Sequence, residues 1–213
     1  MKAVTIILIC LAAVMSIAKE NVIQCANLIY AGNKTSRCFS DQFLSSVQKK
    51  AGIATERRFK SVKMNSKELF KYPFVVMTGE SEFRLRPDER KNLKKYLTNG
   101  GFLLASAGCS SKEWDRSFRR EMKSIFKDTK LSKLEMSHPV FKIVNKIEKL
   151  RLHHAGDTAQ LEGIEFDGKA VVVYSAQGLN DTAHTEGCCC CGGNEIENSL
   201  DVNVNIVVYS MLH

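Results

Sequence analysis

Only three prolines occur in the 213-residue chain, and no Ser/Gly-rich or low-complexity stretch interrupts it. That excludes proline-rich spacers and collagen-like repeats, and no shift in composition marks a linker between domains. Beyond residue 18 the sequence also lacks any apolar run approaching the roughly 20 residues that span a bilayer. Histidine is scarce, at five residues, so few imidazoles are on offer as bases or metal ligands. Positive charge is nearly missing from one end: residues 156–213 hold one Lys against nine Asp and Glu, whereas residues 1–155 hold 30 Lys and Arg against 14 acids. The basic residues fall on helix faces such as "RPDERKNLKKYL" without interleaved aromatics. This pattern argues against nucleic acid and for contact with the acidic part of the chain or with an anionic envelope surface.

What the chain does have begins with "MKAVTIILICLAAVMSIA", one Lys ahead of an apolar run that ends in small residues. These are the parts of a secretory signal peptide, so residues 1–18 are expected to be removed and residues 19–213 to form a single exported domain, periplasmic or secreted. Ile9 stands where a lipoprotein signal needs a small residue before Cys10, which argues against lipidation. No transmembrane segment is expected after signal removal. Seven cysteines then remain: Cys25, Cys38, Cys109 and the run Cys188, Cys189, Cys190 and Cys191. In an oxidising compartment an odd count leaves at least one thiol unpaired, metal-bound or joined to another chain.

The periodicity alternates between strands and helices. Residues 22–32, 73–79, 101–108 and 169–176 are short apolar runs that read as buried strands, with a weaker strand near 57–64. Residues 40–52 carry Phe43, Leu44 and Val47 on one helical face, and 66–72 read as a short helical turn. Pro87 opens a helix with Asp88 and Glu89 in its first turn and Gly100 past its end. Ser110 and Glu113 have capping-box spacing for the next helix, and Asn194 and Glu197 have it for a last one over the ambiguous "VNVNIVV". Such alternation predicts an α/β fold, a mostly parallel sheet with helices on both faces. Ligands in these sheets bind outside the carboxyl ends of the strands, where Cys38, Glu80, Cys109 and the cysteine run would gather.

Three chemistries compete there. Cys109, between Gly108 and Ser110 at a strand-to-helix turn, has the setting of a nucleophile elbow. His138 is then the candidate base and Glu80 the orienting or assisting carboxylate, with Glu82 nearby. Cys188 and Cys191 form C-x-x-C, the spacing of a redox pair or of half a zinc site, which His184, Glu186 and a pair from Cys25, Cys38 and Cys109 could complete. Alternatively, members of the run make disulfides to Cys38 and Cys109 and tie the terminal segment over the sheet edge. Four adjacent side chains point in different directions, so they cannot all reach one ion easily. His153 and His154 are adjacent and too weak a signal alone.

Taken together, "YPFVVMTGESEFRLRPDERKNLKKYLTNGGFLLASAGCSSKEWDRSFRREM", "HPVF" and "CCCCGGNEIENSLDVNVNIVVYS" resemble the bacterial domain of unknown function numbered 4159, whose fold is like that of the class I glutamine amidotransferases. The resemblance implies a flavodoxin-like α/β sandwich with a helical final segment, and it carries no established activity. True amidotransferases place the nucleophile in G-x-C-x-G and use a later H-x-E. Here Ala107-Gly108-Cys109-Ser110-Ser111 and His138-Pro139 stand instead, which argues against glutaminase chemistry. The expectation is an exported, noncatalytic binding or envelope-associated domain with an unidentified ligand. Its alternatives are a Cys109-dependent hydrolase of acyl or amide bonds, and a metal (zinc) or thiol-redox protein centred on Cys188–Cys191.

Overall fold

The structure is a computed structural model that describes residues 22–35, 39, 41–152, 159–179 and 196–212. Among the described residues seven strands form one sheet: β1 Cys25–Ile29, β2 Lys60–Lys63, β3 Phe74–Gly79, β4 Phe102–Ala107, β5 Ser132–Lys133, β6 Glu162–Phe166 and β7 Lys169–Ser175. Their order is β2-β1-β3-β4-β7-β6-β5. The pairings of β1 with β2 and β3, of β3 with β4 and of β4 with β7 are parallel; β6 runs antiparallel to β7, and β5 to β6. The expected mostly parallel α/β sandwich is therefore present, and the antiparallel β6 and β5 extend one side of it.

Strand alternation assigns each side chain to a layer. On one face Phe74, Val76, Phe102, Leu104 and Val173 pack under α1 (Asp41–Ala51) and α4 (Ser199–Leu212). On the other, Val75, Met77, Leu103, Ala105 and Tyr174 pack under α2 (Pro87–Thr98) and α3 (Lys112–Ile125). Both faces of the central strands are buried, which is why β3 and β4 read as unbroken apolar runs.

The helix boundaries follow local chemistry. Pro87 supplies the preset φ at the start of α2, and the Glu89 carboxylate accepts the Arg86 N–H at 2.7 Å and the Gly32 N–H at 3.1 Å. Helix α3 starts one residue later than its capping-box spacing suggests. Its cap is Ser111, whose Oγ accepts the Trp114 N–H at 3.3 Å. The ambiguous C-terminal segment is helix α4, and Asn194 of its expected cap lies outside the described residues. Its Asn205 is fully buried and explains the mixed pattern. The Asn205 Oδ1 accepts the N–H groups of Val144 at 3.3 Å and Asn145 at 2.8 Å, and Nδ2 donates to the Asn145 carbonyl at 2.8 Å. A polar residue on a helix's buried face is here the clamp for an irregular loop.

The α2/α3 layer is organised around Trp114, which stacks on Phe118 with ring centroids 5.2 Å apart; Phe118 in turn stacks on Tyr174 at 4.4 Å. The Trp114 Nε1–H donates to the Tyr30 hydroxyl at 2.8 Å, and that hydroxyl donates to the Thr78 carbonyl at 2.9 Å. A buried polar relay thus joins β1, β3 and α3 directly beneath the carboxyl edge of the sheet.

Candidate functional site at the carboxyl edge

Two strand ends bring chemistry together. Strand β3 ends at Gly79 and is followed by Glu80; β4 ends at Ala107 and is followed by Gly108 and Cys109. Because β3 and β4 pair in register, with Gly79 opposite Ala107, the two loops leave the sheet side by side. The Cys109 Sγ lies 3.9 Å from the Glu80 Oε1, within the reach of a weak S–H donor.

This turn is sharply bent. Cys109 has φ +47° and ψ +34°, and Ser110 has φ +50°, so two successive non-glycine residues adopt the left-handed region. Each such residue costs roughly 1–2 kcal/mol, and strain of this kind concentrates at sites that aim a side chain. Space beside it is tight: a Cβ on Gly108 would stand 3.1 Å from both the Glu80 Cγ and the Gly79 carbonyl oxygen, so these would have to give by a few tenths of an ångström. The Ser111 hydroxyl donates to the Glu80 carbonyl oxygen while capping α3, so the Glu80 backbone is tied to the helix that follows Cys109. The Ser110 Oγ beside it is buried with no hydrogen-bond partner among the described residues, as is the Ser175 Oγ at the carboxyl end of β7. The sequence marks Ser110 only as a small neighbour of Cys109 and a helix cap, and Ser175 at the end of its strand carries no signal there.

The structure separates His138 from this pair. His138 caps the 3-10 turn Pro139–Phe141, its Nδ1 accepting the Val140 N–H at 3.2 Å, and its ring lies 5.2 Å from that of Tyr209. The Tyr209 hydroxyl accepts the Ala170 N–H at 3.0 Å, and the Tyr209 ring packs 6.2 Å from Phe102. Ala170 and Phe102 stand at the amino ends of β7 and β4. From Phe102 to Ala107 the strand alone runs about 17 Å, so His138 and Cys109 sit at opposite edges of the sheet. The proton shuttle expected between them cannot operate.

The remaining candidates divide in the same way. Glu82 is exposed and pairs with Arg120 at 3.4 Å instead of joining Glu80. Cys25 is a buried free thiol in β1, opposite Phe74 and hence at the amino edge; burial pushes its pKa up to about 12, so it stays protonated and inert. Cys25 and Cys109 therefore cannot supply two ligands to one ion or form a disulfide with each other. Cys38, His153, His154, His184, Glu186 and Cys188–Cys191 lie outside the described residues. Among the described residues no three His, Cys, Asp or Glu side chains gather as a metal ligand set.

Strand order places the topological switch point between β1 and β3, the position where open α/β sheets take ligands. Among the described residues no helix is long and apolar enough to cross a membrane. The chain matches no functionally curated protein. The model of the family described as "Domain of unknown function (DUF4159)" matches residues 24–211, which span all seven strands and nearly all of α4. The chain belongs to the DUF4159 family.

Proposed function

We propose that this member of the family is an exported binding domain whose ligand seat is the rim formed by Glu80, Cys109 and Ser110, without hydrolytic turnover. The observation that carries this reading is the separation of the rim thiol from His138, the one histidine among the described residues. Covalent catalysis by a thiol needs a group that takes its proton and returns one to the leaving group, and His138, beside Tyr209 at the amino edge, is too far away to be that group. A rim with a carboxylate, a thiol and buried hydroxyls without a hydrogen-bond partner among the described residues is instead equipped to hold a polar ligand. Export rests on the signal-like residues 1–18.

The test is incubation of the purified protein with 4-nitrophenyl acetate. The binding reading expects at most one acyl group transferred per Cys109, with no steady release of nitrophenol above that of Cys109→Ser. Steady turnover that Cys109→Ser abolishes contradicts it. Intact mass of the exported protein checks the export part: the expected chain starts at Lys19, and a retained Met1 contradicts it.

One specific observation favours a second reading, hydrolysis with Cys109 as nucleophile. The left-handed turn aims the thiol at Glu80, and this carboxylate could take the proton in place of His138. The same ester assay decides between the two, because this version expects Glu80→Gln to abolish turnover along with Cys109→Ser.

A further inference from the structure

The edge of the sheet opposite the candidate site has a composition of its own. Four large apolar side chains are exposed among the described residues: Val22, Phe70, Phe166 and Leu212, at 53%, 40%, 37% and 65%. All four stand at the amino ends of the parallel strands. Val22 precedes β1, and Phe70 lies in the 3-10 turn that leads into β3. Phe166 forms the hairpin that leads into β7, and Leu212 ends α4 beyond Tyr209, whose hydroxyl meets the start of β7. Scattered exposed apolar residues need no explanation, but their confinement to one edge does.

Two grooves open along that edge and share Gly100 and Gly101. One, of about 340 Å³, is lined by Phe70 and Tyr96; the other, of about 270 Å³, is lined by Phe166, Lys169 and Ser210. A third, of about 480 Å³, lies at the end of α3, with Met122, Phe126 and Leu131 as an apolar floor and Lys123, Lys127 and Lys130 around it. Lys95, in the last turn of α2, sits 5.6 Å from the Phe70 ring centroid.

Charge follows the same layout. Helices α2 and α3 carry nine Lys and Arg to five Asp and Glu, while α1 and α4 carry two of each. Two of those five acids, Glu89 and Glu121, are buried. Glu121 is held by Arg90 at 2.6 Å and by Arg120 at 3.4 Å. Lys91, Lys94, Lys123 and Lys127 are exposed, and no ion pair joins them among the described residues.

We infer that the amino edge, Phe70, Phe166 and Leu212 together with Lys95, Lys123 and Lys127, is a peripheral docking surface for an anionic phospholipid bilayer. Apolar tips that enter the headgroup layer beside lysines that meet lipid phosphate are the two components of interfacial binding. Docked on this edge, the protein turns the Glu80–Cys109 rim away from the membrane. The inference is independent of the binding reading, since the two edges share no residue.

The test is co-sedimentation of the full chain with vesicles of phosphatidylcholine alone and of phosphatidylcholine with phosphatidylglycerol, alongside hydrogen–deuterium exchange. Binding is expected only to the anionic vesicles and to weaken with salt. Each Lys→Gln at 95, 123 or 127 is expected to cost about fivefold, and Phe70→Ser with Phe166→Ser several-fold more. Exchange should slow at residues 70–73, 166–170 and 208–212 when vesicles are added. An unchanged melting temperature separates lost docking from lost folding. Vesicle binding that the substitutions leave unaltered, or exchange protection confined to other segments, overturns the inference. So does a concentration-dependent dimer that Phe70→Ser and Phe166→Ser abolish, which would assign the edge to a second copy of this chain. Ester reactivity at Cys109 is expected to be the same in all these variants, so failure here leaves the rim reading untouched.

Discussion

Cys109 and Glu80, 29 residues apart in sequence, meet at 3.9 Å because β3 and β4 pair in parallel register and end opposite each other. The contact depends on an absent side chain as much as on present ones, since a Cβ on Gly108 would press on the Glu80 Cγ and the Gly79 carbonyl oxygen at 3.1 Å.

Gly79→Ala tests the packing beneath the rim. A Cβ there would stand 2.3 Å from the Tyr30 hydroxyl and 2.7 Å from the Trp114 Nε1, the two groups that form the buried relay to the Thr78 carbonyl. Displacing them should cost about 2–3 kcal/mol. Urea unfolding of the variant is expected to show that loss; a change under about 0.5 kcal/mol, the ordinary scatter of surface substitutions, would mean the relay moves freely.

Asn205→Leu isolates the clamp in α4. The substitution preserves approximate volume but leaves the Asn145 N–H without its 2.8 Å acceptor. An unsatisfied buried donor costs about 1–3 kcal/mol. The expected signature is a lower urea midpoint with faster hydrogen exchange at residues 144 and 145, and stabilisation by the added apolar surface would contradict it.

Cys25 predicts an alkaline limit. Its pKa is raised from 9.0 to about 12 by burial, so below pH 9 the thiol is protonated in both the folded and the unfolded chain and contributes no pH dependence. Between pH 9 and 12 the unfolded chain releases the proton and the folded chain keeps it, so stability falls as pH rises, with a limiting slope of about 1.4 kcal/mol per pH unit. Cys25→Val should reduce that slope in urea midpoints measured from pH 8.5 upward (about the reference thiol range); an identical slope in the variant would assign the loss to other groups.

Much of this was legible in the chain. The runs at 73–79 and 101–108 became β3 and β4 because two buried faces leave no polar alternation to confuse them. The helical spacing from Ile196 to Met211 outweighed the local "VNVNIVV" alternation. The β6–β7 hairpin was missed although Asp167-Gly168 marks it, both residues having positive φ, +52° and +75°. Strand β6 hid because only Gly163 and Ile164 of its five residues are buried. His138 misled for a different reason. Sequence proposes which residue types exist, but only the sheet shows that a loop after α3 returns to the amino edge while Cys109 stays at the carboxyl edge.

The cysteine run gives the fourth prediction. Four thiols at residues 188–191 with Cys38 allow bridges, a zinc site or a redox pair. Alkylation before and after reduction, followed by intact mass under native and denaturing conditions, counts free thiols, bridges and bound metal together. Cys25 is expected to be alkylated only after denaturation, whichever use the run serves. Bridges without metal make the run a staple, whereas several reduced thiols with a retained ion make it a ligand set.

The most direct test of the central claim is the pH dependence of iodoacetamide alkylation at Cys109, followed by peptide mass spectrometry in the wild-type chain, Glu80→Gln and His138→Ala. Removing the carboxylate 3.9 Å from the thiol removes a negative charge that opposes the thiolate. Glu80→Gln is therefore predicted to speed alkylation near neutral pH by about threefold or more, and His138→Ala to leave the whole profile unchanged. A profile that shifts with His138→Ala and not with Glu80→Gln would contradict the account, because it would put the histidine, and not the carboxylate, beside the rim thiol.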